Sequence, residues 1–219
     1  MNDIKVVTIA DNEEYLRQVS LPVDASDKNL KNDISILDKY CSENSVLAMA
    51  AVQLGIPKRI IYLKNTNLDI VNKSQSDSLS EEEKNYNESK VLINPVIISR
   101  EGLTEYWEAC ASCLDNFGLV KRPYKITLEY FDVDFKKHYK VFEGFEATVL
   151  SHEYDHLDGV LHMDIADKLL IMKQEDRKKF RLEHNYNIIS KAGKYEDLLK
   201  NKSYQNKSYQ KKYLSFGKI

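Results

Sequence analysis

Ser151-His152-Glu153-Tyr154-Asp155-His156-Leu157-Asp158-Gly159 reads as a helix that runs into a stop, and its His-Glu-x-x-His order sets what the rest of the chain must supply. Residues four apart share one helical face, so His152 and His156 project together, close enough to bind a single metal ion, and Glu153 can reach water beside that ion. Gly144 offers a break before the helix, Phe145, Val149 and Leu150 supply apolar packing along it, and Gly159 ends it after Asp158. The motif alone also fits two surface histidines matched by chance, so the flanking sequence has to decide.

A metal held by two histidines needs a third protein ligand if it is to keep an open catalytic position. Zincins and metzincins take that ligand from downstream, where His162 stands. Upstream, Cys110 and Cys113 offer thiolates. Cys110-Ala111-Ser112-Cys113 also has the form of a redox pair or half of a structural zinc site, although no second Cys-x-x-Cys follows and no thioredoxin-like setting surrounds it. With Cys41 the cysteines number three, an odd count that leaves at least one free and suits a reduced compartment better than a disulfide framework.

Working outward, Leu30, Ile34, Leu37 and Cys41 recur at helical spacing behind the caps Asp24 and Ser26, which predicts an amphipathic helix from about Asp27 to Cys41. Arg59 to Leu63 and Val91 to Ile98 are rich in β-branched residues and predict strands. Thr127 to Phe131 and Tyr139 to Phe142 predict a strand pair across the polar turn at Asp132 to Asp134. From about Asp164 to Ser190 a charged helical pattern, with Leu169, Leu170, Met172, Phe180 and Ile188 available for burial, predicts one long C-terminal helix.

The 219 residues, 42% of them hydrophobic, fit a single catalytic domain over 1–190. Residues 65–90 form a polar run expected to be a mobile insertion, because it cannot bury enough surface to offset its ordering entropy. Residues 191–219 form a low-complexity basic tail in which Asn201 to Gln205 is repeated as Asn206 to Gln210. A formal charge of −2 gives no net attraction to nucleic acid or an anionic membrane, and no run reaches the roughly 18 apolar residues of a membrane span. The chain is expected to be cytoplasmic, with no membrane partner and no sequence-specific nucleic acid partner; lysines without acids from Lys200 onward allow contact with RNA or an acidic surface.

Three segments in order resemble the peptide deformylases, metal hydrolases that remove the formyl group from the N-terminal methionine of new polypeptides. His152-Glu153-Tyr154-Asp155-His156-Leu157 matches the family's His-Glu-x-Asp-His-Leu, and Glu108-Ala109-Cys110-Ala111-Ser112 keeps the Glu, Cys and Ser of Glu-Gly-Cys-Leu-Ser. Val46-Leu47-Ala48-Met49-Ala50-Ala51-Val52-Gln53 stands for Gly-x-Gly-Leu-Ala-Ala-x-Gln. The likeness covers roughly Ile4 to Asp164, with Leu16-Arg17, Pro22-Val23, Gly55-Ile56-Pro57 and Val91 to Pro95 adding to it. Leu119-Val120-Lys121-Arg122 resembles the Val-x-Arg that follows the family cysteine, and aligning it without a gap selects Cys110 over Cys113.

The resemblance implies an α+β fold, short antiparallel strands around a central helix carrying the two histidines, plus a C-terminal helix. It implies a site in which Cys110, His152 and His156 hold one divalent ion, Fe(II) first, with Zn(II) or Ni(II) as alternatives. Water activated at the metal would attack the formyl carbon of an N-formyl-Met peptide, Glu153 moving the proton to the departing amine, with Gln53 and the Ala111 backbone N–H facing the developing oxyanion. Glu108 and Asp155 are candidate partners for the histidine ligands, with Arg122 a candidate to hold Glu108. Ribosome contact through the C-terminal region would fit that work. Val46 and Ala48 replace glycines that let substrate lie close, which predicts a narrower groove, and Ala111 and Leu114-Asp115 replace Leu and Pro-Gly. Two alternatives accompany this reading: a divergent His-Glu-x-x-His metallopeptidase, and a catalytically weak deformylase-like protein that binds nascent chains.

Overall fold

The structure, a computed structural model, describes residues 4–44, 46–64, 90–183 and 191–194. Its helices are α1 (Ile9–Leu16), α2 (Leu30–Glu43), α3 (Gly144–Leu157), α4 (His162–Ile165) and α5 (Gln174–Glu183). Its strands are β1 (Ala48–Ala50), β2 (Ile60–Leu63), β3 (Lys90–Ala109), β4 (Asn116–Arg122), β5 (Lys125–Phe131), β6 (Lys137–Glu143), β7 (Lys168–Ile171) and β8 (Lys191–Lys194). Every paired strand is antiparallel to its neighbour, and the result is the α+β arrangement the motifs imply.

β3 is the spine. Its first residues pair with β2 (Ile60 with Ile93), its middle with β5 (Ile97 with Leu128), and its last six with β4 (Glu108 with Gly118). It extends well past the Ile98 end expected from composition. One strand can serve several partners because it is 20 residues long and its ladder with β5 is irregular, first at Asn94-Pro95. Proline has no N–H to give a ladder, and the register shifts between Ile93 and Val96 at that point. Asn94, at φ 49°, is pinned there by exchanging two 2.8 Å hydrogen bonds with the Val23 backbone.

β2 is buried on both faces, and its alternation shows why. Ile60 and Tyr62 join Leu30, Leu37, Cys41 and Met49 beneath α2, whereas Ile61 and Leu63 join Leu92, Ile126, Leu128, Phe142, Leu150 and Leu157 beneath α3. The histidine helix therefore lies across the sheet rather than on its rim. Burying a Leu or Ile side chain contributes roughly 1.5–3 kcal/mol, so these two clusters fix where α3 sits.

Three further elements differ from expectation. α2 begins at Leu30 behind Asn29, because Asp24 instead accepts from Ser26 N–H (2.8 Å) and closes a turn of its own. The long helix from Asp164 is broken: β7 pairs with β4, with Leu169 45% exposed and Leu170 37% exposed, and α5 starts only at Gln174. The helical spacing of Leu169 and Leu170 competed there with an open edge on β4, and pairing prevailed. β8 pairs with β3 through Glu101 and Leu103, so backbone pairing continues past residue 190. The insertion over 65–90, apart from Lys90, and the repeated tail lie outside the described residues.

Candidate active site

α3 starts at Gly144, which takes φ +61°, and ends where Gly159 takes φ +70°. The helix end is tied down: Ser20 N–H donates to the Leu157 carbonyl (2.8 Å), and Arg59 Nη1 donates to Asp158 Oδ1 (2.8 Å). His152 and His156 face one way from this fixed helix, their ring centroids 5.0 Å apart. Cys110 arrives at the end of β3, at the entry to a short 3-10 turn, Ala111–Cys113. One ligand atom from each of Cys110, His152 and His156 lies within 4.8 Å of the others, and Cys110 Sγ is 3.2 Å from His156 Nε2. Cys113 belongs to an apolar cluster with Leu16 and Leu161, and all three cysteines are free.

Charge around the cluster is arranged by one cation. Arg122, completely buried, donates from Nε and Nη2 to the two Glu108 oxygens at 2.7 Å each, and from Nη1 to Asp155 Oδ2 at 2.5 Å. Glu108 Oε2 in turn lies 2.8 Å from His152 Nδ1. Burial opposes a charge on Glu108, yet Arg122 and His152 outweigh it and hold the carboxyl far below the usual carboxylate range. Asp155 thus meets Arg122, whereas Glu108 touches His152 directly.

Burial also disfavours the charged form of His152, but contacts with Cys110 and Glu108 overcome it and pull the imidazole up to about 10. His156, with burial dominant, is pushed below its ordinary value. The cluster therefore attracts positive charge at the point where three soft or borderline donors converge, and a thiolate with two imidazoles suits a divalent transition metal. A proton and a metal ion compete for the same imidazole, so ligation would release protons.

Glu153 is 6% exposed, and its Oε2 accepts from the Ala50 N–H at 2.8 Å. Burial is the main cause pushing its carboxyl up to about 7, where a group can take and return a proton near neutral pH. The same Ala50 N–H lies 3.0 Å from Gln53 Oε1, while Gln53 Nε2 donates to Cys110 Sγ (3.3 Å) and Ser112 Oγ (3.2 Å). Gln53 comes from the turn Ala51–Leu54 that follows β1, so the three motifs meet through hydrogen bonds rather than only by proximity.

A cavity of about 380 Å³ opens onto these groups. Val46 and Ala48 border it, as expected for side chains where the family has glycine, and so does Ala111. Leu114 just beyond takes φ +54°, a conformation costly for a branched side chain. Val149 and Phe145 are half-buried on the cavity wall, and Val149 also packs against the apolar cluster beneath α3. Tyr106, Thr148 and Arg181 also line it without having been singled out in the sequence. Tyr106 was findable, since it sits two residues before Glu108 on one strand and so shares its face. Arg181 was not, because only the docking of α5 brings it here.

Residues 4–170 match the family model described as polypeptide deformylase. A peptide deformylase of Rhizobium meliloti (strain 1021) is 36% identical over 155 residues, which cover 70% of this chain and 80% of the relative. Another from Pelagibacter ubique (strain HTCC1062) is 34% identical over 158 residues, 71% of this chain and 83% of the relative. Among solved structures, a probable peptide deformylase from Synechococcus phage S-SSM7 superposes with a TM-score of 0.60 at 28% identity, covering 74% of this chain and 99% of that one. Peptide deformylase from Plasmodium falciparum gives 0.59 at 30% identity, covering 83% and 93%. With most of its described fold inside the matched span, the chain belongs to the polypeptide deformylase family.

Proposed function

We infer that this chain hydrolyses the formyl amide at the N-terminal methionine of newly synthesised polypeptides, releasing formate. What carries this reading is the convergence of Cys110, His152 and His156 beside a buried Glu153 on the wall of one cavity. We assign the three as ligands of one divalent ion, a donor set that suits Fe(II) and Zn(II) alike, with Fe(II) first by the family resemblance and Zn(II) or Ni(II) as alternatives. When bound, that ion supplies Lewis-acid polarisation and lowers the pKa of water.

The remaining work falls to side chains. Glu153 accepts a proton from the attacking water and delivers it to the amine nitrogen as the C–N bond breaks, so that formate and a free amino terminus leave together. Gln53, whose amide rests against Cys110, and the Ala111 N–H border the reacting carbonyl and meet the charge on its oxygen. Glu108 holds His152 in the orientation its Nδ1 contact defines, and Arg122 holds Glu108. Val46 and Ala48 shape a groove that still leaves about 380 Å³, within the usual range for a small-ligand site.

Among the described residues, no helix is long and apolar enough to cross a membrane. Cytoplasmic work on nascent chains fits the three free cysteines, and the lysines from Lys200 onward support ribosome contact through the C-terminal region. A single domain with a separable tail follows from the same composition.

The test is formate release from a formyl-Met peptide by protein prepared anaerobically with Fe(II), set against Glu153→Ala. The substitution is expected to lower kcat by about 10²–10⁴-fold while metal content is retained. No formate above the Glu153→Ala level under iron, nickel and zinc would sink the reading.

A further inference from the structure

α5 is fastened to the sheet by aromatic packing. Phe180 meets Trp107 edge-on at 5.2 Å and Phe117 at 5.6 Å, and Arg177 Nη2 donates to the Leu114 carbonyl at 2.6 Å. This anchorage delivers Arg181 to the cavity wall. Its Nε (3.3 Å) and Nη2 (2.9 Å) donate to the Trp107 carbonyl, and its guanidinium lies 5.4 Å from the Tyr106 ring centroid and 5.0 Å from that of Phe117.

The other charged groups on this wall have protein partners: Glu108 with Arg122, His152 with Glu108, Glu153 with the Ala50 N–H. Arg181 differs. Among the described residues, neither of its hydrogen bonds uses Nη1 and no carboxylate lies within ion-pairing distance of it. Its segment lies beyond residue 170, where the match to the family model ends.

We propose that Arg181 forms a subsite for a carboxylate carried by the substrate peptide a few residues beyond its formyl-methionine, giving the enzyme a preference for acidic residues there. The inference rests on the deformylase reading and adds a substrate class to it. Tyr106 lies four residues before Cys110, about 13 Å along an extended chain, so a peptide advancing about 3.3 Å per residue from the reacting formyl group meets Arg181 near its third or fourth residue. A guanidinium already oriented by a carbonyl and two rings loses little freedom on pairing, and its free edge suits a carboxylate. At a half-buried position such a pair is worth about three- to fivefold in kcat/KM and is screened by salt.

The experiment compares kcat/KM for formyl-Met-Ala-Ala-Glu amide and formyl-Met-Ala-Ala-Lys amide, in which the Glu side chain is the only carboxylate. Using the ratio of the two removes any effect of a loss of folded protein. The unaltered holoenzyme is expected to favour the Glu peptide by about three- to fivefold at low salt, less at 0.5 M salt. Arg181→Gln should bring the ratio to about one, and Arg181→Lys, which keeps the charge but not the fork, should retain part of it. A ratio near one in the unaltered protein, or one unchanged in Arg181→Gln, overturns the subsite while leaving the deformylase reading standing. Formate from neither peptide overturns that reading itself.

Discussion

Glu153 is a carboxyl held where ionisation is expensive, and that expense is measurable. Its one close backbone donor, the Ala50 N–H, does not compensate for burial, which pushes the group from 4.5 to about 7. A raised carboxyl pKa means that between those values the folded protein keeps a proton the unfolded chain has released, so stability falls as pH rises through that window. The shift corresponds to about 3 kcal/mol above pH 7. Glu153→Gln keeps an acceptor for Ala50 and removes the charge. In protein stripped of metal by a chelator, the substitution is expected to raise stability towards urea at pH 8 and to leave it nearly unchanged at pH 4; equal effects at both would remove the case for a strained carboxylate. At this scale much of the site was legible, because His152, Glu153 and His156 share a helix turn and need no tertiary information. Glu108 and Arg122 were legible only as candidates. What binds them to His152 is a pairing across β3 and β4 that one-dimensional spacing does not contain.

The histidine helix is placed by its ends as much as by its face. Gly159 stops it at φ +70°, and a Cβ built there would stand 2.0 Å from the Arg17 carbonyl oxygen, where α1 ends. Gly55 closes the Gln53 turn at φ +80° with nothing within 4 Å of the same added atom. Gly55→Ala therefore incurs only the left-handed conformation, about 1 kcal/mol and about 3 °C in Tm for a chain of this size. Gly159→Ala adds a backbone clash that α1 or α3 must move to relieve, and its loss in Tm is expected to be more than twice as large. Calorimetry of the two variants checks this, and equal losses would show that α1 does not constrain the helix. Elements with one strong period, such as β5 with its alternating burial, follow from the sequence alone. β7 does not: Lys168–Ile171 is exposed along its length, so its pattern carries no inward face, and only the free edge of β4 makes it a strand.

Across the molecule, β3 carries the largest share of the organisation, since β2, β4, β5 and β8 all pair with it. The polar segment 65–89 enters that scheme at one point, between β2 and β3. Leu63 and Lys90 are opposite one another in an antiparallel pair, and Lys64 N–H donates to the Leu47 carbonyl at 2.7 Å, so the chain is already positioned to turn back without the intervening residues. Replacing 65–89 with Asn-Gly-Ser leaves, with Lys64, a connection of about four residues, a common hairpin length. The described cavity-wall residues and metal-ligand candidates are all retained. Shortening a connection lowers the entropy of closing it, by about 0.6 kcal/mol for each halving. The replacement is thus expected to hold kcat/KM on a formyl-Met peptide within about twofold and to keep or raise Tm. Unchanged Tm with a fall in kcat/KM beyond about tenfold, some 1.4 kcal/mol of lost transition-state stabilisation, would instead make the segment part of the substrate groove.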